Sequence, residues 1–377
     1  MMLRRDFVKG LGAAALAIGA DPLFARALPR GRRARVILVA SGSYQRYRQV
    51  LLALARGLEK LGVIKHAPAR DAVTGRAELS DVWQSLASSA GGDSLNFLAD
   101  GLYSYEFDEK RRLRVQKQVL DRVAKRRDVD LILTAGTYAV RDMASNIRDI
   151  PVLSISSSDP IASHLVASAE DSGQDNLHVL IDRDRYAWQT EAFHAVYPFK
   201  RLAIVTSQTR KDRCGEAEIR KCCERLGVDF RFVVYQEAEK SVEDDYRAFK
   251  RALEAAVKEG ADAVVLPWFP CPKGRFREVT QLLAQHRVAS FSQSGPEFVR
   301  RGILLGEGDQ DLDGSGLFEA EVVRRVLAGE KPRSIPQALT QKSRFALNLV
   351  SAMQLGWKPP LGLLLSVENA FTTQSEE

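Results

Sequence analysis

Small polar residues follow two apolar runs in the middle of the chain and could form a binding edge. The runs at 131–134 and 151–155 have the continuous apolar character of buried parallel strands. The residues just after them are Gly136, Thr137, Ser157, Ser158 and Asp159. At the carboxyl end of a strand, where a helix begins, such residues offer backbone N–H groups and hydroxyls to a ligand. Neither stretch pairs a nucleophile with a base, so the pattern favours binding over catalysis.

Residues of similar kind follow other apolar runs. The further candidates are Ser43, Tyr44, Thr206, Ser207, Trp268 and Ser292. Tyr44 and Trp268 carry rings that could stack on an apolar or aromatic ligand. Several candidates have a structural alternative. Trp268 lies in a stretch flanked by prolines, which also suits packing between lobes, while Thr137 and Asp159 could each cap a helix for about 1 kcal/mol.

The elements that position these residues alternate between strands and helices. Apolar runs predict strands at 35–40, 96–105, 131–134, 151–155, 201–206, 230–235, 263–267 and 289–292. Helical spacing predicts helices at 45–61, 109–127, 214–226, 242–259 and 275–286. The order restarts near residue 201, so the sequence predicts an α/β protein with two doubly wound, Rossmann-like lobes. A ligand would lie in the cleft between the strand ends, and lobe closure would bury it.

The overall composition is that of a globular protein with two domains. The chain has 377 residues, 45% of them hydrophobic and 27% charged. Its net charge of +7 is small for this length, and part of it lies in the first 35 residues. Charge of this size argues for solubility and gives no support to nucleic-acid binding.

The first residues resemble an export signal. Arg4 and Arg5 are followed by Phe7, as in the twin-arginine pattern, and a Gly/Ala-rich run covers 10–20. Ala25 and Ala27 fit a small-x-small cleavage site, which predicts a signal peptide over 1–27 and export to the periplasm. The alternative to an export signal is that these residues form an amphipathic first helix in which the two arginines occur by chance. No cysteine follows the predicted cleavage site, so no lipid anchor is expected there.

Neither the cysteines nor the histidines form a recognisable metal motif. The four cysteines are Cys214, Cys222, Cys223 and Cys271, and their spacing matches no zinc site. A disulfide from Cys214 to Cys222 or Cys223 and buried free thiols both remain open. The five histidines have no paired spacing. We therefore expect neither a metal nor another cofactor.

Three stretches carry a resemblance to a known family. The first includes Ala135-Gly136-Thr137, Ile150-Pro151-Val152 and Ser158-Asp159-Pro160; the second runs from Asp311 through Gly316 to the VLAGEKP segment at 326–332; the third is FALNLVSAMQLGWKPPLGLL at 345–364. Together they resemble ABC-transporter substrate-binding proteins of the type that includes tryptophan-transport binding proteins. Residues 66–108 and 171–178 depart from the family pattern, in regions where ligand specificity could be set.

The resemblance implies a type I periplasmic-binding fold with a three-segment hinge. It places the first lobe at 34–158 with 293–335 and the second at 159–292 with 336–371. Asp311 matches the family's acidic position and would suit a substrate ammonium.

The function implied is that of a monomeric, non-enzymatic periplasmic solute-binding protein. It would deliver a small ligand, an amino acid or related small carboxylate with aromatic ones included, to an ABC permease in the inner membrane. The alternative is an exported sensor component that binds the ligand and docks a membrane kinase or chemoreceptor.

Overall fold

The computed structural model describes residues 32–68, 78–238, 241–308, 312–339 and 344–375. The predicted signal peptide at 1–27 and the predicted site residue Asp311 lie outside these ranges. No helix in the described ranges is long and apolar enough to cross a membrane.

Strands and helices alternate along most of the chain. The strands are β1 (Ala34–Ala40), β2 (Leu95–Ser104), β3 (Leu131–Ala135), β4 (Val152–Ser156), β5 (Leu177–Val179), β6 (Ile181–Asp182), β7 (Arg201–Ser207), β8 (Asp229–Tyr235), β9 (Ala263–Leu266), β10 (Ala289–Ser292), β11 (Leu305–Glu307), β12 (Ala338–Leu339), β13 (Phe345–Asn348) and β14 (Asn369–Phe371). The helices are α1 (Gln45–Lys60), α2 (Leu79–Ser89), α3 (Glu109–Lys125), α4 (Thr137–Asn146), α5 (Arg185–Val196), α6 (Glu216–Leu226), α7 (Val242–Lys258), α8 (Phe276–Gln285), α9 (Pro296–Arg300), α10 (Leu312–Leu327), α11 (Leu349–Gln354) and α12 (Leu361–Ser366).

Two large sheets form the centres of two lobes. The first is parallel throughout, in the order β2-β1-β3-β4-β5. The second has the order β14-β13-β11-β10-β9-β7-β8, with one antiparallel pairing between β11 and β13. Each predicted strand and helix has its counterpart, displaced by no more than a few residues at its ends.

Apolar side chains cover both faces of each sheet, which explains the continuous apolar strands. In β1, the side chains of Val36 and Leu38 enter one cluster with α1, α2 and α10. Ile37 and Val39 enter the opposite cluster with α3 and α4. The second sheet is covered by α7 and α8 on one face and by α5 and α6 on the other. The predicted fold of two doubly wound α/β lobes is confirmed.

The chain crosses between the sheets at places that differ from the predicted boundaries. The first crossing was predicted after 158, but β5 at Leu177–Val179 still pairs with β4 in the first sheet. The return was predicted at 293, but β11 at Leu305–Glu307 pairs with β10 in the second sheet. The chain returns with α10, which packs against α1. Strands of three residues are too short to give an apolar run, so sequence patterning missed both.

The linking segments also pair with each other. β6 follows the first sheet, β12 precedes the final return to the second sheet, and the two form a two-stranded parallel ladder. Backbone hydrogen bonding therefore couples two of the three segments that join the lobes.

The cysteines are all free thiols. Cys214, Cys222 and Cys223 are buried, and Cys271 is half-buried. Burial raises the pKa of each thiol, which keeps the groups neutral and unreactive.

Candidate functional site

A cleft of about 720 Å³ lies between the two lobes. The first lobe lines it with the N-terminal half of α1, the loop after β4 and one face of α10. The second lobe contributes Trp268 and the residues around α9, and the linking segments contribute β6 and the end of β11. A ligand in this cleft would touch both lobes and the segments that join them.

The structure brings part of the predicted site to this cleft. The predicted residues that line it are Tyr44, Gly136, Ser157, Ser158, Asp159 and Trp268. The predicted residues outside the lining are Ser43, Thr137, Thr206, Ser207 and Ser292. Contact between ligand and any of them stays a prediction.

The start of α4 is held by the residue that directly follows β1. Gly136 is the N-cap residue, with a positive φ of 96°, and a Cβ there would lie 2.2 Å from the Tyr47 hydroxyl. The Ser41 Oγ accepts a hydrogen bond from the Ala139 amide at 3.1 Å. Ser41 therefore caps this helix, and Thr137 is not its N-cap but its buried first residue.

Asp159 combines a capping role with a place in the cleft. Its Oδ1 accepts a hydrogen bond from the Ala162 amide at 3.1 Å, which holds the turn after β4. Burial raises the pKa of its carboxyl above the ordinary value. Asp159 therefore caps a turn and not the helix that the structural alternative expected, since the next helix begins at Arg185. A ligand role for Asp159 in the cleft stays a prediction.

Aromatic rings reach the cleft from both lobes. Tyr44 in the first lobe is 42% exposed and Trp268 in the second is 45% exposed, which is high for such large rings. The guanidinium of Arg210 lies 4.5 Å from the centre of the Trp268 ring, in a cation–π contact. The two rings offer flat apolar surfaces that suit stacking on a planar ligand.

Several predicted hydroxyls serve local structure. The Ser207 Oγ accepts a hydrogen bond from Arg210 Nη1 at 3.0 Å and so helps to hold the guanidinium over Trp268. The Ser292 Oγ accepts one from the Ser294 amide at 3.0 Å. Both residues are buried and outside the cleft lining, and these hydrogen bonds hold neighbouring residues in place.

A buried ion pair in the cleft was missed by sequence reasoning. Arg185, the first residue of α5, donates from Nε to Glu307 Oε1 at 2.7 Å and from Nη2 to Oε2 at 2.5 Å. Gln189 donates a further hydrogen bond to the same carboxylate. Burial alone would lower the pKa of Arg185, but the adjacent carboxylate raises it above the ordinary value. The partners are 122 residues apart, and no local pattern links them.

A second acidic residue was also missed. Glu319 lies on α10 and lines the cleft, yet the residue is only 3% exposed. Neither carboxyl oxygen has a hydrogen-bond partner among the described residues. Burial raises the pKa of Glu319 to about 8. In the sequence it is one acidic residue among several in a charged helix, so nothing there sets it apart.

Taken together, the lining offers binding groups of several kinds. It holds aromatic rings, small hydroxyl residues, the Arg185–Glu307 ion pair and the buried carboxyl of Glu319. Within the described ranges, no group of three or more His, Cys, Asp or Glu side chains could hold a metal ion. The arrangement can hold a small polar molecule with a planar apolar part.

Comparisons with known proteins give one family match. A family model described as ABC transporter substrate binding protein matches residues 104–366. No curated protein matches the sequence.

Several solved structures share the fold. One from Streptococcus pneumonia in complex with L-Trp has a TM-score of 0.63 at 17% identity and covers 90% of this chain and 100% of that chain. A conserved domain protein from Vibrio cholerae has a TM-score of 0.64 at 17% identity, with the same coverage. A solute binding protein from Rhodopseudomonas palustris in complex with 3,4-dihydroxy benzoic acid has a TM-score of 0.52 at 10% identity and covers 84% of this chain and 93% of that chain.

Proposed function

The chain belongs to the ABC transporter substrate-binding protein family, and from this premise we propose that it is the periplasmic solute-binding component of an ABC importer. Members of this family are extracytoplasmic solute-binding proteins rather than enzymes. Its ligand is an amino acid or a related small carboxylate, aromatic ones included, and its membrane partner is an ABC permease. It acts as a monomer.

The cleft between the lobes is the observation that carries this proposal. Its volume of about 720 Å³ falls in the range of small-molecule sites. Tyr44 and Trp268 face it from opposite lobes, which suits an aromatic ligand held between them. Solved structures of the same fold contain L-Trp in one case and 3,4-dihydroxy benzoic acid in another.

The mechanism is binding coupled to lobe closure. A ligand that touches both lobes binds the closed state more tightly than the open one, so it shifts the population towards closure. The hinge consists of the three linking segments, two of which are joined by the β6–β12 ladder. The permease then recognises the closed arrangement of the lobes.

Export precedes this function. The twin-arginine route carries the chain to the periplasm, and cleavage after Ala27 leaves Leu28 as the first residue. The test is the mass of the protein recovered from the periplasm, with Arg4→Lys and Arg5→Lys together expected to block export. Export of that double variant at the normal level would contradict the twin-arginine assignment.

A thermal-shift screen tests the binding function. The chain from Leu28 onwards is heated with each common amino acid and with small aromatic carboxylates. A ligand at about 100 times its dissociation constant adds about 2.7 kcal/mol to the free energy of unfolding, so a true ligand raises the melting temperature clearly. If no compound in the screen raises it, the proposed ligand class is wrong.

Two tryptophan variants locate the binding site. Trp268→Ala should reduce the ligand-induced shift because it removes a ring from the cleft. Trp188→Ala is the matched control, since Trp188 is also exposed but stacks on Phe345 outside the cleft lining. Equal loss of the ligand-induced shift in both variants would contradict binding at Trp268.

A further inference from the structure

Glu319 lies in a groove where α1 and α10 cross in close contact. A Cβ at Gly316 would lie 2.3 Å from the backbone carbonyl of Ala53, so the two helices touch through their main chains. Leu312, Gly316 and Glu319 follow one another at helical spacing on the cleft face of α10. A Cβ at Gly57 of α1 would lie 2.9 Å from the Cβ of Ala320, so Glu319 lies at this crossing, on the face of α10 that lines the cleft.

No described residue forms a hydrogen bond with this carboxyl. The residue is 3% exposed and neither oxygen has a hydrogen-bond partner among the described residues. A buried polar group without a partner costs about 1–3 kcal/mol, and more if it is charged. A ligand that forms hydrogen bonds with the carboxyl would explain why this destabilising residue lies in the lining of the cleft.

The surrounding charges do not provide a counter-ion. The charged residues of α1, the helix packed against α10, are Arg46, Arg48, Arg56, Glu59 and Lys60. Arg56 is bonded to Asp313, and His178 of β5 contacts the ring of Phe318 rather than Glu319. Burial raises the pKa of Glu319, and no charged group of the described residues contributes to that change.

We propose that Glu319 anchors a protonated nitrogen of the ligand, so that the ligand of this cleft is an ammonium-bearing compound. This inference rests on the proposed function, because it names a chemical group of the ligand held in the same cleft. An ammonium group has three N–H donors and no acceptor, so it can satisfy carboxylate oxygens that the protein leaves unpaired.

The binding step has a proton balance that can be measured. In the empty cleft the carboxyl is mostly neutral at neutral pH, because burial raises its pKa to about 8. An arriving ammonium favours the carboxylate, so the Glu319 O–H bond breaks and the proton leaves to solvent. The product is a carboxylate–ammonium pair, and close to one proton is released for each ligand bound.

Matched compounds separate the ammonium from the rest of the ligand. The probes are L-tryptophan, tryptamine and indole-3-propionate, and L-phenylalanine, phenethylamine and 3-phenylpropionate, beside the common amino acids. Binding of each is measured by thermal shift and titration calorimetry in buffers of different ionisation enthalpy. Compounds with an ammonium should bind, and their binding to the unmodified protein should release protons.

Variants on one helix provide the control. Glu319→Gln keeps the shape of the side chain but cannot form the charged pair, and it should weaken binding by about tenfold or more and abolish proton release. Glu319→Asp keeps the carboxyl and should retain proton release. Glu321→Gln is the matched control, since Glu321 pairs with Arg324 on the solvent side of the same helix, and it should bind normally.

The outcomes distinguish this inference from the function on which it rests. Binding by compounds that lack a protonated nitrogen, with those that carry one excluded, would overturn it while leaving solute binding intact. Unchanged affinity in Glu319→Gln would do the same. If no compound binds the unmodified protein, the proposed function itself fails and this inference fails with it.

Discussion

Replacing Glu319 with glutamine should change how the stability of the unliganded protein depends on pH. In the folded protein the pKa of this carboxyl is raised from its ordinary 4.5 to about 8. The folded state therefore keeps a proton that the unfolded state releases. Below the ordinary pKa both states are protonated and no stability is lost. As pH rises from there towards 8, the folded state loses stability relative to the unfolded one.

The size of the effect follows from the shift. One pH unit corresponds to about 1.4 kcal/mol, and about 2.5 units separate the ordinary pKa from pH 7, which gives a loss of about 3 kcal/mol at neutral pH. The loss levels off at about 5 kcal/mol above pH 8. Glu319→Gln has no such proton and does not lose this stability. Any fixed cost of burying the amide is the same at every pH and leaves the slope unchanged.

Urea unfolding at a series of pH values measures this difference. The free energy of unfolding is determined for the unmodified protein, Glu319→Gln and the exposed-site control Glu321→Gln. The advantage of Glu319→Gln over the unmodified protein should grow by about 3 kcal/mol between about pH 4.5 and about pH 7. Every other titrating group is common to both and cancels. Parallel pH profiles for the two proteins would refute the claim that Glu319 is buried and neutral.

Three further predictions concern the fold around the cleft. Burial lowers the pKa of the His178 ring from its ordinary 6.5 to about 4. Between these pH values the ring is neutral in the folded protein, whereas it is protonated in the unfolded chain. The free energy of unfolding should therefore fall by up to about 3 kcal/mol as pH drops from about 6.5 to about 4. Urea unfolding of His178→Asn should show no such fall, and the same pH dependence in this variant would contradict the prediction. Arg185→Met should lower the free energy of unfolding by about 3 kcal/mol because it leaves the buried Glu307 carboxylate without its guanidinium partner. The double variant Arg185→Met with Glu307→Leu should lower it by less, and equal losses in denaturant unfolding would contradict a buried pair. Gly316→Ala should lower the free energy of unfolding by about 1–3 kcal/mol because its Cβ would lie 2.3 Å from the backbone of α1. Gly362→Ala, which has open space around it, should raise the free energy of unfolding by about 0.5–1 kcal/mol. A higher melting temperature for Gly316→Ala than for Gly362→Ala would refute the close contact at Gly316.

The positions of the long strands and helices could be read from the sequence. β1 and β7 are buried on both faces, and a strand in that setting must be apolar at nearly every position. α1 and α7 pack one face on a sheet, and this produces helical spacing of apolar residues. These patterns are local, so the two-lobed α/β fold followed from them.

Part of the cleft also followed from local sequence. The carboxyl ends of parallel strands meet at one edge of a sheet, so residues just after β3 and β4 had to lie near one another. This reasoning brought Gly136, Ser157 and Asp159 to the cleft. Thr137 and Ser292 lie at strand ends too, but both are buried and neither is among the residues that line the cleft.

Only the tertiary structure decided which distant residues meet. The Arg185–Glu307 pair joins residues 122 apart, and the hydrogen bond from the Ala139 amide to Ser41 joins residues 98 apart. The burial of Glu319 depends on how closely α1 and α10 cross. Sequence patterns record the average environment along one element, whereas these contacts depend on where the chain crosses between the lobes. The positions of these crossings could not be predicted, because β5 and β11 are too short to give an apolar run in the sequence.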